Sequence, residues 1–169
     1  MIRTEIFDSP EWNRREIMRY ARIQGADDTY DALIDECVNE AEPVLSYRVC
    51  YTILPVSYKN NQLCLGNITA PYQTIVKAIK DAEEVLLFAA NVGTPFDRLI
   101  QRYAALAPSK ALIFQAIGAE RVESLCDAFC EQTASELRIS GKRLTPRVSA
   151  GYGDIPLTMQ RDIFAVLDW

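Results

Sequence analysis

The segment Arg147-Val-Ser-Ala-Gly-Tyr-Gly-Asp-Ile-Pro156 holds the most unusual set of chemistry-bearing residues in the chain. Arg147 offers a planar guanidinium fork that suits a carboxylate or a phosphate. Gly151 and Gly153 bracket Tyr152; glycine permits positive φ and lets a ligand approach the backbone where a Cβ would stand. Tyr152 can stack on a flat ring or hydrogen-bond to it. These are the parts of a small-molecule cradle. The same residues also suit a tight turn with Tyr152 packed on the core and Arg147 in a surface ion pair. Glu123 and Asp127 form a second candidate, four residues apart in a helical pattern and beside the apolar positions Val122 and Cys126. Like charges at this spacing cost a helix roughly 0.2–0.5 kcal/mol. An ammonium or sulfonium ligand would relieve that repulsion; a solvated acidic edge is the other account of the pair.

The 169 residues include no histidine. That removes the commonest general base, the commonest zinc ligand and every Ser-His or Cys-His nucleophile pair. No P-loop, dinucleotide glycine fingerprint or nucleophile elbow is present. Eighteen basic against twenty-three acidic side chains leave a net charge of −5, which argues against a broad basic face for nucleic acid or anionic lipid. Five cysteines without a CxxC pair, and no signal-like N-terminus, indicate a reducing, cytoplasmic setting. Cys126 and Cys130 read as buried small hydrophobes. No apolar run approaches the ~20 residues of a membrane span.

The elements that must position these residues follow from periodicity. Residues 1–46 read as helical, a first segment ending at Gly25 and a second running from about Asp28 to Pro43, with Leu33, Ile34, Cys37, Val38 and Ala41 on its apolar side. Asp31, Asp35, Glu36, Glu40 and Glu42 read as its solvated face. Residues 46–54 are rich in β-branched and aromatic types and read as a strand, returning after a turn at Lys59-Asn-Asn61 through residues 62–65. A short helix is expected over 71–80 and a buried strand over 84–90. Gly93-Thr94-Pro95 supplies a turn, an N-cap threonine and a proline at the first helical position. A helix to about Leu106 follows, then one from Pro108 to about Leu137 with an apolar seam of Leu112, Ala116, Ala119, Val122, Cys126, Phe129 and Thr133. Gly118 reads as a close packing point on it. Residues 144–148 read as a strand, and a last helix begins near Thr158. Hairpin strands mixed with long helices indicate an α+β fold with an antiparallel sheet.

At Arg147 to Pro156 the sequence resembles the activation domain of cobalamin-dependent methionine synthase, whose Arg-x-x-x-Gly-Tyr motif is matched by Arg147, Gly151 and Tyr152. Residues 82–93 resemble that family's central strand and glycine turn, and residues 122–131 its long acidic helix. The similarity spans most of 45–168 and is closer to stand-alone versions of the domain. It implies a C-shaped α+β domain around a twisted antiparallel sheet, here residues 46–169, with an N-terminal helical segment at 1–45. It implies S-adenosylmethionine as ligand, with Arg147 on the carboxylate, the backbone of Ser149, Ala150, Gly151 and Tyr152 around the adenine and ribose, and Glu123 and Asp127 as acidic partners. Asp127 is shorter than the family's usual glutamate. The implied role is reductive methylation of cobalamin carried by a methionine synthase subunit, in trans, with a flavodoxin-like electron donor and with neither nucleic acid nor membrane as partner. Such a chain presents a substrate and is not a self-sufficient catalyst. The family continues beyond the point matched by Trp169, so either a truncated version or an incomplete reading frame is expected, and with the first comes a second reading: a scaffold for a corrinoid protein that has lost ligand binding.

Overall fold

The computed structural model describes residues 1–23 and 28–168; the helix end expected at Gly25 and the chain end at Trp169 lie outside the described residues. In chain order, strand β1 (Arg3–Phe7) precedes helices α1 (Arg14–Tyr20) and α2 (Asp28–Ala41). Strands β2 (Tyr47–Lys59), β3 (Gln62–Leu65) and β4 (Ile68–Thr69) follow, then α3 (Gln73–Ile79), β5 (Glu84–Asn91), α4 (Thr94–Leu106), α5 (Pro108–Ile139) and α6 (Gln160–Leu167). The strands form one sheet in the order β1-β2-β3-β4, with β5 also paired to β2. The β2/β3 and β3/β4 pairings are antiparallel, and the fold class is α+β, as expected.

The β2–β3 hairpin turns on Asn60 and Asn61, at φ +49° and +63°, between the partners Lys59 and Gln62. Two central residues at positive φ match the right-handed twist of the flanking strands, and asparagine tolerates that conformation better than most residues. β2 itself runs five residues past the expected end at 54, through Pro55. Proline removes only a donor: the Pro55 carbonyl accepts from the Gly66 amide at 2.9 Å, and the Val56 amide donates to the Glu83 carbonyl at 2.9 Å. Three further expectations are corrected. Arg3–Phe7 is a strand, not helix. Residues 144–148 are irregular, exposed except for Val148, and interrupted by Pro146. Gly93, at φ +98°, is the N-cap of α4 in place of Thr94.

The chain divides into two compact units. The first comprises Met1–Glu5, Val49–Ala89 and Thr133–Trp169, the second Ile6–Arg48 and Ala90–Gln132. Leu63, Leu65, Ile75, Ile79, Ile155 and Leu167 share the core of the first. In the second, Phe114 meets Phe96 edge-on with ring centroids 6.3 Å apart and lies 5.1 Å from Tyr103. Gly118 is the close packing point expected, because a Cβ there would stand 2.9 Å from the Phe96 ring. Among the described residues, no helix is long and apolar enough to cross a membrane.

Helix α5 spans 32 residues; Ala116 and Phe129 of the expected seam are buried, but the stripe as a whole is rotated from it. Ile113, Ile117, Arg121, Leu125 and Phe129 are buried, whereas Leu112 is 49% exposed and Cys126 and Cys130 are half-buried thiols. The observed positions recur every four residues, with a fully buried arginine in the middle. Periodicity of apolar residues steps around such a position. The acidic face of α2 is solvent-facing, as expected, and several of its acids also find partners there. Arg14 reaches Asp31 at 2.9 Å, Lys110 reaches Glu36 at 2.6 Å, and the Tyr103 hydroxyl donates to Glu40 at 2.7 Å.

Candidate functional site

The glycine loop lies wholly in the first unit, and its shape is set by short-range backbone bonds. The Tyr152 amide donates to the Ser149 carbonyl at 3.1 Å, the Ile155 amide to the Tyr152 carbonyl at 3.1 Å, and the Gly151 amide to the Ile155 carbonyl at 2.9 Å. Gly151 and Gly153 sit at φ +90° and +62°, where a side chain is strained. Ile155, 3% exposed, anchors the loop in the core, while the Tyr152 ring is 64% exposed. That exposure removes the reading in which Tyr152 packs on the core. Arg147 and Ser149 are exposed on the approach to the loop, and Ala150 is half-buried.

Asp154 holds the loop to α3, a role that was not read from the sequence. The helix begins at Tyr72, whose side chain caps nothing. In its place the Asp154 carboxylate accepts from the Gln73 amide at 2.6 Å and the Thr74 amide at 2.9 Å, while the Asp154 amide donates to the Thr74 hydroxyl at 3.4 Å. Helix starts leave amides without intrahelical partners, and a carboxylate there satisfies them. The Thr74 hydroxyl, then the amides of Thr74 and Gln73, lower the Asp154 carboxyl from its ordinary 3.8 to about 2. A lowered folded-state value means that the contribution to stability is fully present above the unfolded value and is lost as pH falls through the folded one. Wild-type protein should therefore lose stability relative to Asp154→Asn as pH drops from 3.8 to about 2, read as the difference between their urea midpoints. Parallel titration of the two proteins would remove Asp154 from the acid response.

Glu123 and Asp127 belong to the second unit, so the seven expected site residues fall into two groups, each with its own surroundings. Both acids are exposed on α5 and line a polar hollow of about 330 Å³ with Asn13, Glu16, Arg19 and Tyr20 among its walls. Arg19 brings a cation of the protein's own into this hollow: its Nε donates to Glu16 at 2.9 Å and its guanidinium lies 4.3 Å from the Tyr20 ring centre. The hydrogen bond with Arg19 lowers the Glu16 carboxyl.

Behind the hollow lies a buried ion pair that was also missed. Glu120 and Arg121 are 1% and 0% exposed. Arg121 donates to Glu120 at 2.6 Å and to the Pro10 and Glu11 carbonyls at 2.7 and 2.6 Å, and stacks 4.0 Å from the Trp12 ring centre. Glu120 accepts from the Asn13 amide at 3.0 Å and the Ser124 hydroxyl at 2.8 Å. Burial opposes the charge on Arg121, but its hydrogen bonds with Glu120 and Tyr47 outweigh that and hold it above its ordinary value. The pair fastens residues 10–13 to α5.

Taken together, the elements define an α+β protein with antiparallel hairpin pairings, long helices and a glycine-bracketed tyrosine displayed on a capped loop. No family model matches the chain, and no curated protein matches it. Among solved structures it is similar to the crystal structure of the MetH reactivation domain bound to AdoHcy, with a TM-score of 0.66 and 13% identity over 99% of this chain and 70% of that one. The chain has the fold of that reactivation domain, as the resemblance at Arg147, Gly151 and Tyr152 implied.

Proposed function

We propose that the chain is an S-adenosylmethionine-binding module that supports reductive methylation of the cobalamin of a methionine synthase subunit, in trans and in the cytoplasm. The observation that carries this reading is the fold shared with an AdoHcy-bound reactivation domain along 99% of the chain. The loop supports it, because Tyr152 is exposed rather than used as core. S-adenosylmethionine supplies a methyl group on a sulfonium, and its transfer to a cobalt reduced by a flavodoxin-like donor leaves S-adenosylhomocysteine.

The work of the protein is then to bind and orient. Arg147 holds the ligand's carboxylate through a bidentate guanidinium contact. Gly151, whose missing Cβ leaves only Leu157 within 4 Å, lets the ligand lie against the backbone of residues 149–152, and Tyr152 offers a flat face to the base. Neither an acid nor a base of the protein is needed, so the absence of histidine from the chain is no obstacle; proximity and orientation carry the rate. The family resemblance alone names Glu123 and Asp127 as acidic partners of the ligand, and their part in binding is tested separately from that of the loop.

Calorimetric titration with S-adenosylmethionine tests this. Wild-type protein should bind, and Arg147→Ala should weaken binding by more than ~1.5 kcal/mol, the scale of a hydrogen bond to a charged group. Unchanged affinity in Arg147→Ala removes that residue from the site, and unchanged affinity in Glu123→Gln/Asp127→Asn removes the acids. No heat at millimolar ligand from a folded protein overturns the reading and leaves the corrinoid scaffold in its place.

A further inference from the structure

Tyr152 sits between two fixed points. On one side its amide is bonded to the Ser149 carbonyl; on the other its carbonyl takes the Ile155 amide, with Ile155 buried in the core. Between Tyr152 and Ile155 the chain closes on α3. Asp154 accepts from the Gln73 amide on one carboxylate oxygen at 2.6 Å and from the Thr74 amide on the other at 2.9 Å, and its own amide donates to the Thr74 hydroxyl. Gly153 makes that approach possible, since any Cβ there would stand 2.3 Å from the Thr74 hydroxyl oxygen. Each oxygen of the exposed carboxylate thus accepts one helix-start amide, and Asp154 acts as a clamp between the loop and α3.

We propose that Asp154 is the positioning residue of the glycine loop: by capping α3 it fixes the backbone from Gly151 to Ile155 and so holds the Tyr152 ring outward for the ligand. The fixing of the backbone stands on the hydrogen bonds alone, and only the consequence for the ligand rests on the S-adenosylmethionine reading above. Asparagine and serine also accept from helix-start amides, whereas alanine cannot. A positioning role therefore predicts a graded rescue across these substitutions.

The test compares Asp154→Ala, Asp154→Asn and Asp154→Ser with wild type by site-resolved amide hydrogen exchange and by titration with S-adenosylmethionine. In Asp154→Ala, exchange at Gly151 and Ile155 should accelerate about fivefold to tenfold, the scale of a lost cap, while the core amides of Leu63 and Leu65 keep their protection. Affinity should fall by a similar factor, and Asn and Ser should restore both. Unchanged exchange at Gly151 and Ile155 in the alanine variant overturns the proposal even if wild type binds. Accelerated exchange with unaltered affinity overturns its ligand half and leaves the binding reading intact. If wild type itself shows no affinity, the binding reading fails, and the exchange data alone decide whether Asp154 fixes the loop. Should Asp154→Ala unfold globally, Thr74→Val, which takes the Thr74 hydroxyl away from the Asp154 amide and carboxyl but leaves the Gln73 and Thr74 amides in place, is read in the same way.

Discussion

Glu120→Ala is expected to lower the free energy of unfolding by about 3–5 kcal/mol, because it strands a charged guanidinium in the interior. Arg121 is fully buried, and a guanidinium is too basic to escape the penalty by neutralising. After the substitution it keeps the carbonyls of Pro10 and Glu11, Tyr47 and the Trp12 ring, none of which is a formal counter-charge. The Asn13 amide and Ser124 hydroxyl lose their acceptor at the same time. Removing the arginine as well separates the causes. Glu120→Ala/Arg121→Met should recover the part of the loss due to the stranded charge, while the space left by Glu120 and the unpaired Asn13 amide and Ser124 hydroxyl retain the rest. Urea unfolding of the four proteins of the cycle measures this. If Glu120→Ala costs less than about 1 kcal/mol, the range of exposed pairs, the carboxylate does not hold Arg121 in the interior and the network has been overvalued.

This buried pair also shows where a linear reading of the chain stops. The expected seam of α5 ran from Leu112 to Thr133 and named two buried positions, Ala116 and Phe129, yet the rest of the buried stripe is Ile113, Ile117, Arg121 and Leu125. An arginine at the centre of a buried stripe is legible only once Glu120 and the Pro10 and Glu11 carbonyls are known to face it, and those carbonyls lie about 110 residues away in the chain. Local chemistry was legible. Asn60-Asn61 named its own hairpin, and Gly118 its own close packing, because the determining atoms sit within a few residues or on one helix. β1 was not legible, since five residues with mostly exposed side chains carry little pattern and a strand's identity comes from its partner. The candidate site divides in the same way. Gly151, Tyr152 and Gly153 announce a loop that leaves regular structure, but Asp154 acquires its role from Gln73 and Thr74, about 80 residues earlier.

Gly153→Ala is expected to cost about 2–3 kcal/mol and to loosen the loop that Asp154 clamps. Two effects combine. At φ +62° an L side chain pays roughly 1–2 kcal/mol for the left-handed conformation. The added methyl would also stand 2.3 Å from the Thr74 hydroxyl oxygen, with the Thr74 Cβ and Cγ2 both at 3.4 Å, a distance that some part of the structure must widen at a cost of about 1 kcal/mol or more. Turning the threonine away relieves the clash but breaks its bond with the Asp154 amide, so steric relief weakens the clamp and leaves the carboxylate on the Gln73 and Thr74 amides. The Thr74→Ala background distinguishes the two contributions: with the hydroxyl gone, Gly153→Ala should cost only the conformational part, about 1–2 kcal/mol. Thermal or urea unfolding of the single and double variants supplies the numbers, and exchange at the Ile155 amide reports the loop. Equal costs in both backgrounds would show that Thr74 yields freely and that backbone conformation alone selects glycine at this position. A smaller cost beside alanine than beside threonine would establish that the glycine is there to let the loop dock against α3, the close approach on which the display of Tyr152 depends.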